Sequence, residues 1–196
     1  MGHLQGLKEY LDEKYHLSIF EKALNSQEPW DLHLHNHIII STGIVGDKRY
    51  DLEIEDDNTV ENLLPKTNVK LLYPTALREA VRPLIKTEKR VKDLKLEPML
   101  SPQGRYHIKN KSLFPLMHEK RVVFFTLLEG EIIRGIIAEF SRYDITVKLK
   151  GGLPVTILRH AVYDLSNKEG RCFLKTFQEI KRDWEKSSLY VSSQEE

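Results

Sequence analysis

The chain of 196 residues contains one cysteine, Cys172, which excludes an intrachain disulfide. It has no apolar run long enough to cross a bilayer, and its first residues, MGHLQGLKEYLDEK, are charged where a secretory signal would be apolar. These absences are typical of proteins from a reducing compartment. We therefore expect a cytoplasmic protein with no membrane contact.

Recognisable catalytic patterns are missing too. The sequence has no paired-carboxylate site, no nucleophile elbow and no glycine-rich loop that could cradle a phosphate. We expect a protein that acts by binding rather than by catalysis, with no cofactor and no bound metal.

The net charge of +1 hides an uneven distribution. Residues 1–74 carry 7 Lys and Arg against 13 Asp and Glu, a net charge of −6, and residues 75–121 carry 12 against 5, a net charge of +7. Residues 122–196 carry 11 of each sign. The middle segment is thus a candidate for contact with a polyanion, although a solvated helix face that neutralises the acidic segment is an equally good interpretation.

Residues 112–165 have the clearest pattern in the chain. A helical turn is followed by runs of apolar or alternating residues, which are broken at Glu129-Gly130, Ser141-Arg142 and Gly151-Gly152. Such runs between turn residues predict antiparallel strands. Gly135 lies inside one run, where glycine is typical of a sharp bend or bulge.

Three motifs in this stretch resemble Hfq, the bacterial Sm-like family. LLEGEIIRGIIAEF is similar to the family's Sm1 motif, RYDITVKL to the segment with its uridine-stacking aromatic, and LRHAVYDL to its Lys-His-Ala-Ile motif. The resemblance implies a short helix plus a strongly bent five-stranded antiparallel sheet. It also implies binding of uridine-rich single-stranded RNA.

The resemblance assigns site residues by position. Tyr143 stands for the stacking phenylalanine, with Arg142 in place of a glutamine, Arg159 in place of a lysine, and His160 unchanged. On the rim, the family's basic patch corresponds to residues 117–121, of which Lys120 and Arg121 are basic. The alternative is structural: Tyr143 would cap the core and Arg159 would pair with Asp144. On the opposite face, Thr126 and Glu131 argue against the family's purine site.

The first part of the chain echoes this stretch. Matching segments occur in the same order: SIF with SLF, II with II, RYDL with RYDI, and LPKT with LPVT. We therefore predict two Sm-like folds in tandem. In the first, Lys70-Leu71 would replace Arg159-His160, and the loop over residues 55–63 is longer and acidic. Pro74 would suit only an edge strand, because it cannot donate to a ladder.

The remaining segments are predicted to be helices and linkers. Helices are expected over residues 3–16, 75–95 and 168–186, the second kinked or split by Pro83, and the last with one apolar stripe: Phe173, Phe177, Ile180 and Trp184. The tail SSLYVSSQEE is expected to be disordered. The predicted fold is mostly β with added helices, in four parts: 1–77 (diverged Sm-like domain), 78–111 (basic helix and linker), 112–167 (Hfq-like domain) and 168–196 (C-terminal helix and tail).

Three histidines alternate at the start of the first predicted sheet. His33, His35 and His37 could share one strand face, a spacing that suits zinc. A turn near Asn36 would remove His37 from that face, so a solvent-facing or interface strand is the preferred interpretation.

The sequence therefore predicts an RNA-binding protein of post-transcriptional regulation or RNA chaperoning. Because Sm-like edge strands pair between neighbours, we expect a homo-oligomeric ring, either three chains as a pseudo-hexamer or a hexamer. The alternative function is a ring scaffold for protein–protein interaction without RNA.

Overall fold

Helices and antiparallel strands are about equally frequent in the protein, so the fold is mixed α/β rather than mostly β. The computed structural model describes residues 2–55 and 62–192. The first part contains β1 (His3–Leu4), α1 (Leu7–Lys14), α2 (Ile19–Ser26), β2 (Trp30–Leu34), β3 (Ile39–Thr42), β4 (Ile44–Asp47), β5 (Asp51–Ile54), β6 (Asn62–Pro65) and β7 (Val69–Pro74). Next come α3 (Arg78–Val81), β8 (Lys86–Thr87) and α4 (Lys89–Lys92). The rest contains α5 (Asn110–His118), β9 (Val122–Leu127), β10 (Glu131–Phe140), β11 (Asp144–Lys148), β12 (Pro154–Leu158), β13 (Val162–Asn167), α6 (Lys175–Lys181) and β14 (Tyr190–Val191).

The second unit, residues 110–167, is helix α5 followed by an antiparallel sheet in the order β13–β9–β10–β11–β12. Gly135 allows β10 and β11 to approach closely, because a Cβ atom at this position would lie 2.3 Å from the carbonyl oxygen of Lys148. The register of these two strands shifts between Ile137 and Glu139. The bulge predicted near Gly135 is therefore present two residues further along the strand.

The strands of the first unit, residues 19–74, are divided between two sheets. Strands β7, β2 and β3 belong to the large sheet, and β4, β5 and β6 form a separate three-stranded sheet. Only Gly43 separates β3 from β4 along the chain, so the two sheets together repeat the strand order of the second unit. Each unit thus consists of a short helix and strands that follow one another in the same sequence. Most of the predicted acidic loop, residues 56–61, lies outside the described residues.

The two units share a sheet through β7 and β12, which pair antiparallel at Leu71 with Ile157 and at Leu72 with Thr156. The edge position predicted for Pro74 is wrong, because β7 lies between β2 and β12. Pro74 is the last residue of β7, beyond the residues that pair with β12, and its missing N–H removes none of these contacts.

Two apolar cores follow this division. The first unit is filled by residues such as Phe20, Trp30 and Leu52. The core of the second unit includes Phe125 and Phe140 and extends to residues of α1. The Tyr10 hydroxyl binds both backbone groups of Phe140, accepting from its N–H at 2.7 Å and donating to its carbonyl oxygen at 2.9 Å. Helix α1 therefore packs on the second unit although it begins the chain.

The helices near both chain ends are shorter than predicted. Residues 3–4 form β1, which pairs with β14, so Tyr190 in the predicted disordered tail is ordered and packs on the core. Residues 193–196 of that tail lie outside the described residues. The basic segment is split at Pro83, as predicted, into α3, a 3₁₀ turn and α4.

The apolar stripe predicted for the last helix is wrong. The chain turns at Gly170 and residues 171–173 run alongside β13, so α6 begins only at Lys175. Phe173 is buried in the core, but Phe177 and Ile180 are 55% and 83% exposed. No helix in the described ranges is both long and apolar enough to cross a membrane.

Candidate nucleic-acid interface

Tyr143 lies in the turn between β10 and β11, and the residue is 59% exposed. The Ser141 hydroxyl accepts from the backbone N–H groups of Tyr143 and Asp144, each at 3.2 Å, and fixes the turn. The Arg142 guanidinium carbon lies 5.4 Å from the centre of the Tyr143 ring, within cation–π range. The turn thus presents an aromatic face with a cation beside it.

The second predicted turn lies next to the first. Residues 159–161 form a 3₁₀ turn between β12 and β13, and the Arg159 N–H donates to the Tyr143 carbonyl oxygen at 2.8 Å. This backbone hydrogen bond joins the two turns, although Tyr143 and Arg159 are 16 positions apart in the sequence. The predicted residues Arg142, Tyr143, Arg159 and His160 line one cavity.

Arg159 is held from several sides. Its Nη2 donates to Asn110 Oδ1 at 3.0 Å, its Nη1 donates to the Ile108 carbonyl oxygen at 3.4 Å, and its guanidinium lies 5.4 Å from the centre of the Phe140 ring. Its Nε is buried without a hydrogen-bond partner. Burial lowers the pKa of Arg159, yet arginine stays protonated at neutral pH. The alternative predicted an ion pair of Arg159 with Asp144. The Asp144 carboxylate acts on Arg159 through its charge, but it accepts its hydrogen bond from the Ile19 N–H, at 3.1 Å.

His160 serves the junction between the two units. Its Nε2 donates to the carbonyl oxygen of Val69 at 2.8 Å, and Val69 begins β7 of the first unit. Burial lowers the pKa of His160 to about 4, so the ring is neutral at pH 7. His160 therefore lines the cavity as an uncharged group.

The cavity that these residues share has a volume of about 520 Å³. Four side chains around it carry positive charge, and none of the described residues that line it is Asp or Glu. The full lining is Tyr15, Pro102, Arg105, Tyr106, His107, Ile108, Lys109, Asn110, Arg142, Tyr143, Arg159 and His160. A cavity of this composition is suited to an anionic ligand with an aromatic or planar part.

More than half of the residues that line the cavity come from a segment predicted to be a linker. Residues 102–110 are held in place, since Arg105 donates to two backbone carbonyl groups and the carbonyl oxygen of His107 accepts from the Lys175 N–H. The Tyr106 ring packs edge-on against Tyr163, with 5.1 Å between ring centres. The one signal for this segment in the sequence was the net positive charge of residues 75–121.

Lys120 and Arg121 lie elsewhere. They form the turn between α5 and β9, where Arg121 Nε is 2.7 Å from Glu119 Oε2. Arg121 lines a different cavity, together with Arg171 and Trp184. The structure therefore does not bring the predicted rim residues to the cavity of Tyr143.

A similar turn occurs in the first unit. The Arg49 guanidinium carbon is 5.1 Å from the centre of the Tyr50 ring, and the Lys66 N–H donates to the Tyr50 carbonyl oxygen at 2.9 Å. Lys66 and Thr67 thus occupy the positions of Arg159 and His160 in the strand order. The predicted match of Lys70-Leu71 to this pair is wrong. The Lys66 ammonium, unlike Arg159, is paired with the Asp47 carboxylate.

The three alternating histidines are divided between a strand and a turn. Strand β2 ends at Leu34, and residues 35–37 form a 3₁₀ turn, as predicted from Asn36. His33 is buried and its Nε2 lies 2.9 Å from the Tyr73 hydroxyl. His37 therefore leaves the face that His33 occupies on the strand.

Comparison with known proteins adds no assignment to this geometry. No protein-family model, curated protein or solved structure matches the chain.

Proposed function

We propose that the chain binds uridine-rich single-stranded RNA in the cavity beside Tyr143 and acts in the cytoplasm in post-transcriptional regulation or RNA chaperoning. One observation carries the proposal: a largely exposed aromatic ring lies beside a cavity with four cations in its wall and no carboxylate among its described residues. The mechanism is binding, with no bond broken.

The chemistry of the cavity fits an unpaired nucleotide. Single-stranded RNA is recognised by stacking its bases on aromatic rings, while arginine and lysine neutralise its phosphates. The Tyr143 ring offers a stacking face, and Arg142, Arg159 and Arg105 supply the charge. The fourth cation, Lys109, lies 3.8 Å from the Glu179 carboxylate. The cavity volume lies in the range of small-molecule sites, about 300–1,000 Å³, which favours one splayed nucleotide over a duplex.

Two features support an Sm-like fold for both units. Each unit is a short helix followed by strands in one common order. The units are also joined through the pairing of β7 with β12, the kind of edge contact by which Sm-like subunits associate. In this chain the contact that would join two subunits is made within one polypeptide.

Closure of a ring of several chains would need a free edge on strand β13. Such a ring would use the outer edge of β13, yet residues 171–173 already pair with it. The Phe173 N–H donates to the Leu165 carbonyl oxygen at 2.8 Å, and the Asn167 N–H donates to the Arg171 carbonyl oxygen at 3.1 Å. The proposed RNA-binding species is therefore the single chain with its two joined units.

Fluorescence anisotropy with labelled oligonucleotides tests the proposal. Single-stranded oligo-U should bind more tightly than oligo-A and than a duplex of equal length, and its affinity should fall steadily with added salt as counterions are released. Equal affinity for oligo-U and for the duplex, or no binding of oligo-U at low salt, would contradict the recognition of single-stranded RNA. The absence of binding would favour the alternative, a scaffold for other proteins.

A further inference from the structure

A charged cluster joins the two units away from the RNA cavity. Glu129 and Glu131, on either side of the turn residue Gly130, both accept from the ammonium group of Lys70, which comes from β7 of the first unit. The Lys70 side chain is almost fully buried. Two carboxylates therefore face a single buried ammonium, and the cluster carries an excess of negative charge.

His37 faces the same oxygen atoms as Lys70. Its Nδ1 lies 3.6 Å from Glu129 Oε2 and 3.9 Å from Glu131 Oε1, the two atoms to which the ammonium group donates. One atom of each residue that could bind a metal ion, from His37, Glu129 and Glu131, lies within 4.8 Å of the other two. The ammonium group thus occupies a space that is ringed by one imidazole nitrogen and two carboxylate oxygens.

His35 provides independent evidence for a ligand. It is only 2% exposed, and neither of its ring nitrogens has a hydrogen-bond partner. Its Nδ1 lies 4.0 Å from Glu129 Oε1, and Glu131 Oε2 is likewise buried without a partner. Because buried polar groups are normally hydrogen-bonded, these orphaned atoms indicate a missing partner at this position.

We propose that this cluster is a binding site for a divalent transition-metal ion of the zinc type, which takes the place of the Lys70 ammonium. The ligands are Glu129, Glu131, His37 and His35. Imidazole nitrogen and carboxylate oxygen are ligands that Zn²⁺ accepts in a tetrahedral arrangement. A bond length of about 2.05 Å places tetrahedral ligand atoms about 3.3 Å apart, so the separations of His37 Nδ1 from the two carboxylates, 3.6 and 3.9 Å, require only small side-chain shifts. His35 Nδ1, which lies 4.0 Å from the other oxygen of Glu129, must turn towards the ion to become the fourth ligand.

The ion would fasten the two units to each other. His35 and His37 lie in the turn after β2 of the first unit, and the carboxylates flank the turn between β9 and β10 of the second. The turns are already in contact, because Glu129 accepts from the backbone N–H groups of Asn36 and His37. Metal binding therefore stabilises the junction of the units rather than serving catalysis.

Thermal unfolding of the untagged, EDTA-treated protein with added Zn²⁺ is the first test. At a hundredfold excess over its dissociation constant, Zn²⁺ should raise the unfolding temperature by about 5–10 °C. Mg²⁺, which prefers oxygen ligands and retains its water, should have little effect. The exposed His16 provides a control, since His16→Ala should keep the full shift.

Variants locate the site. His37→Ala and Glu131→Gln should weaken Zn²⁺ binding at least tenfold in calorimetry, whereas Lys70→Met, which removes the competing ammonium, should strengthen it at least tenfold. Lys70→Met should also lower the unfolding temperature without metal and recover it with Zn²⁺. The visible absorption of bound Co²⁺ reports tetrahedral coordination without reference to stability.

Three results would overturn the proposal. The first is the absence of a Zn²⁺-dependent shift in the wild-type protein. The second is equal Zn²⁺ affinity in His37→Ala and His16→Ala, which would place the metal elsewhere. The third is octahedral Co²⁺ absorption, which would exclude the four protein ligands. If Lys70→Met fails to fold, the comparison of His37→Ala with His16→Ala still decides between the two locations.

Discussion

The backbone N–H of Arg159 donates to the carbonyl oxygen of Tyr143 at 2.8 Å, and this bond joins the two turns that carry the proposed RNA site. The equivalent bond in the first unit, from Lys66 to Tyr50, measures 2.9 Å. The two units therefore build the same pair of turns. Among the residues that the structure describes, the second unit combines them with an adjoining cationic wall from residues 105–110.

Replacing Arg142 tests whether the charge beside Tyr143 contacts phosphate. Arg142 is exposed, so Arg142→Met should leave the fold intact while weakening oligo-U binding. The slope of log affinity against log salt should become shallower by about 0.7 for one lost phosphate contact. Lys150→Met removes an exposed cation outside the cavity and serves as the control. An identical salt slope for both variants would remove Arg142 from the site.

Gly135→Ala tests the close approach of β10 and β11. The new methyl group would lie 2.3 Å from the Lys148 carbonyl oxygen and 2.5 Å from Val147 Cγ1, so the strands must separate. We expect a loss of about 1–3 kcal/mol in the free energy of unfolding, measured by urea denaturation. Gly104→Ala adds a methyl group with no atom within 4 Å and should change stability little. Equal stabilities of the two variants would contradict the predicted clash.

Acidification should destabilise the protein through His160. Burial lowers its pKa from 6.5 to about 4 in the folded protein, so between these pH values the unfolded chain takes up a proton and the native protein does not. The stabilisation present above pH 6.5 is therefore lost as the pH falls towards 4, by roughly 1–3 kcal/mol. Urea midpoints at pH 7 and pH 5 measure the loss.

The variant His160→Gln keeps a side-chain donor for Val69 but does not titrate in this range. Its urea midpoint should fall less between pH 7 and pH 5 than that of the wild-type protein. A wild-type midpoint that stays constant or rises on acidification would contradict the buried, neutral state of His160.

The covered edge of β13 predicts a monomer in solution. Sedimentation or light scattering should give a mass near 22.9 kDa. The reason is that the hydrogen bonds of residues 171–173 occupy the strand edge that a ring would need. A stable trimer would show instead that this hairpin opens on assembly, in line with the ring expected from the sequence.

The parts of the site that follow local rules could be predicted from the sequence. Alternating apolar residues and glycine turns predict β10 and β11, whereas Tyr143 and Arg159 were assigned through the resemblance to Hfq. The wall from Arg105 to Asn110 could not be predicted, because this segment has no periodicity and reaches the cavity through tertiary contacts. Its net positive charge was visible, but charge alone does not indicate a position in the fold.

Helical spacing misled the interpretation of the C-terminal segment. Phe173, Phe177 and Ile180 fit one helical face, yet the turn at Gly170 and the pairing of residues 171–173 with β13 separate the first from the others. The assignment of Lys70 shows a different limit. Aligning the two units by sequence alone placed Lys70-Leu71 opposite Arg159-His160. The strand order shows that Lys66 and Thr67 occupy these positions.

The affinity of oligo-U for a pair of tyrosine variants tests the central claim most directly. Tyr143 and Tyr50 occupy the same turn in the two units and are 59% and 68% exposed, but only Tyr143 lines the cationic cavity. We predict that Tyr143→Ala weakens oligo-U binding by about 1–3 kcal/mol, roughly 5- to 150-fold, that Tyr143→Phe retains it, and that Tyr50→Ala changes it little. Wild-type affinity in Tyr143→Ala would contradict the account.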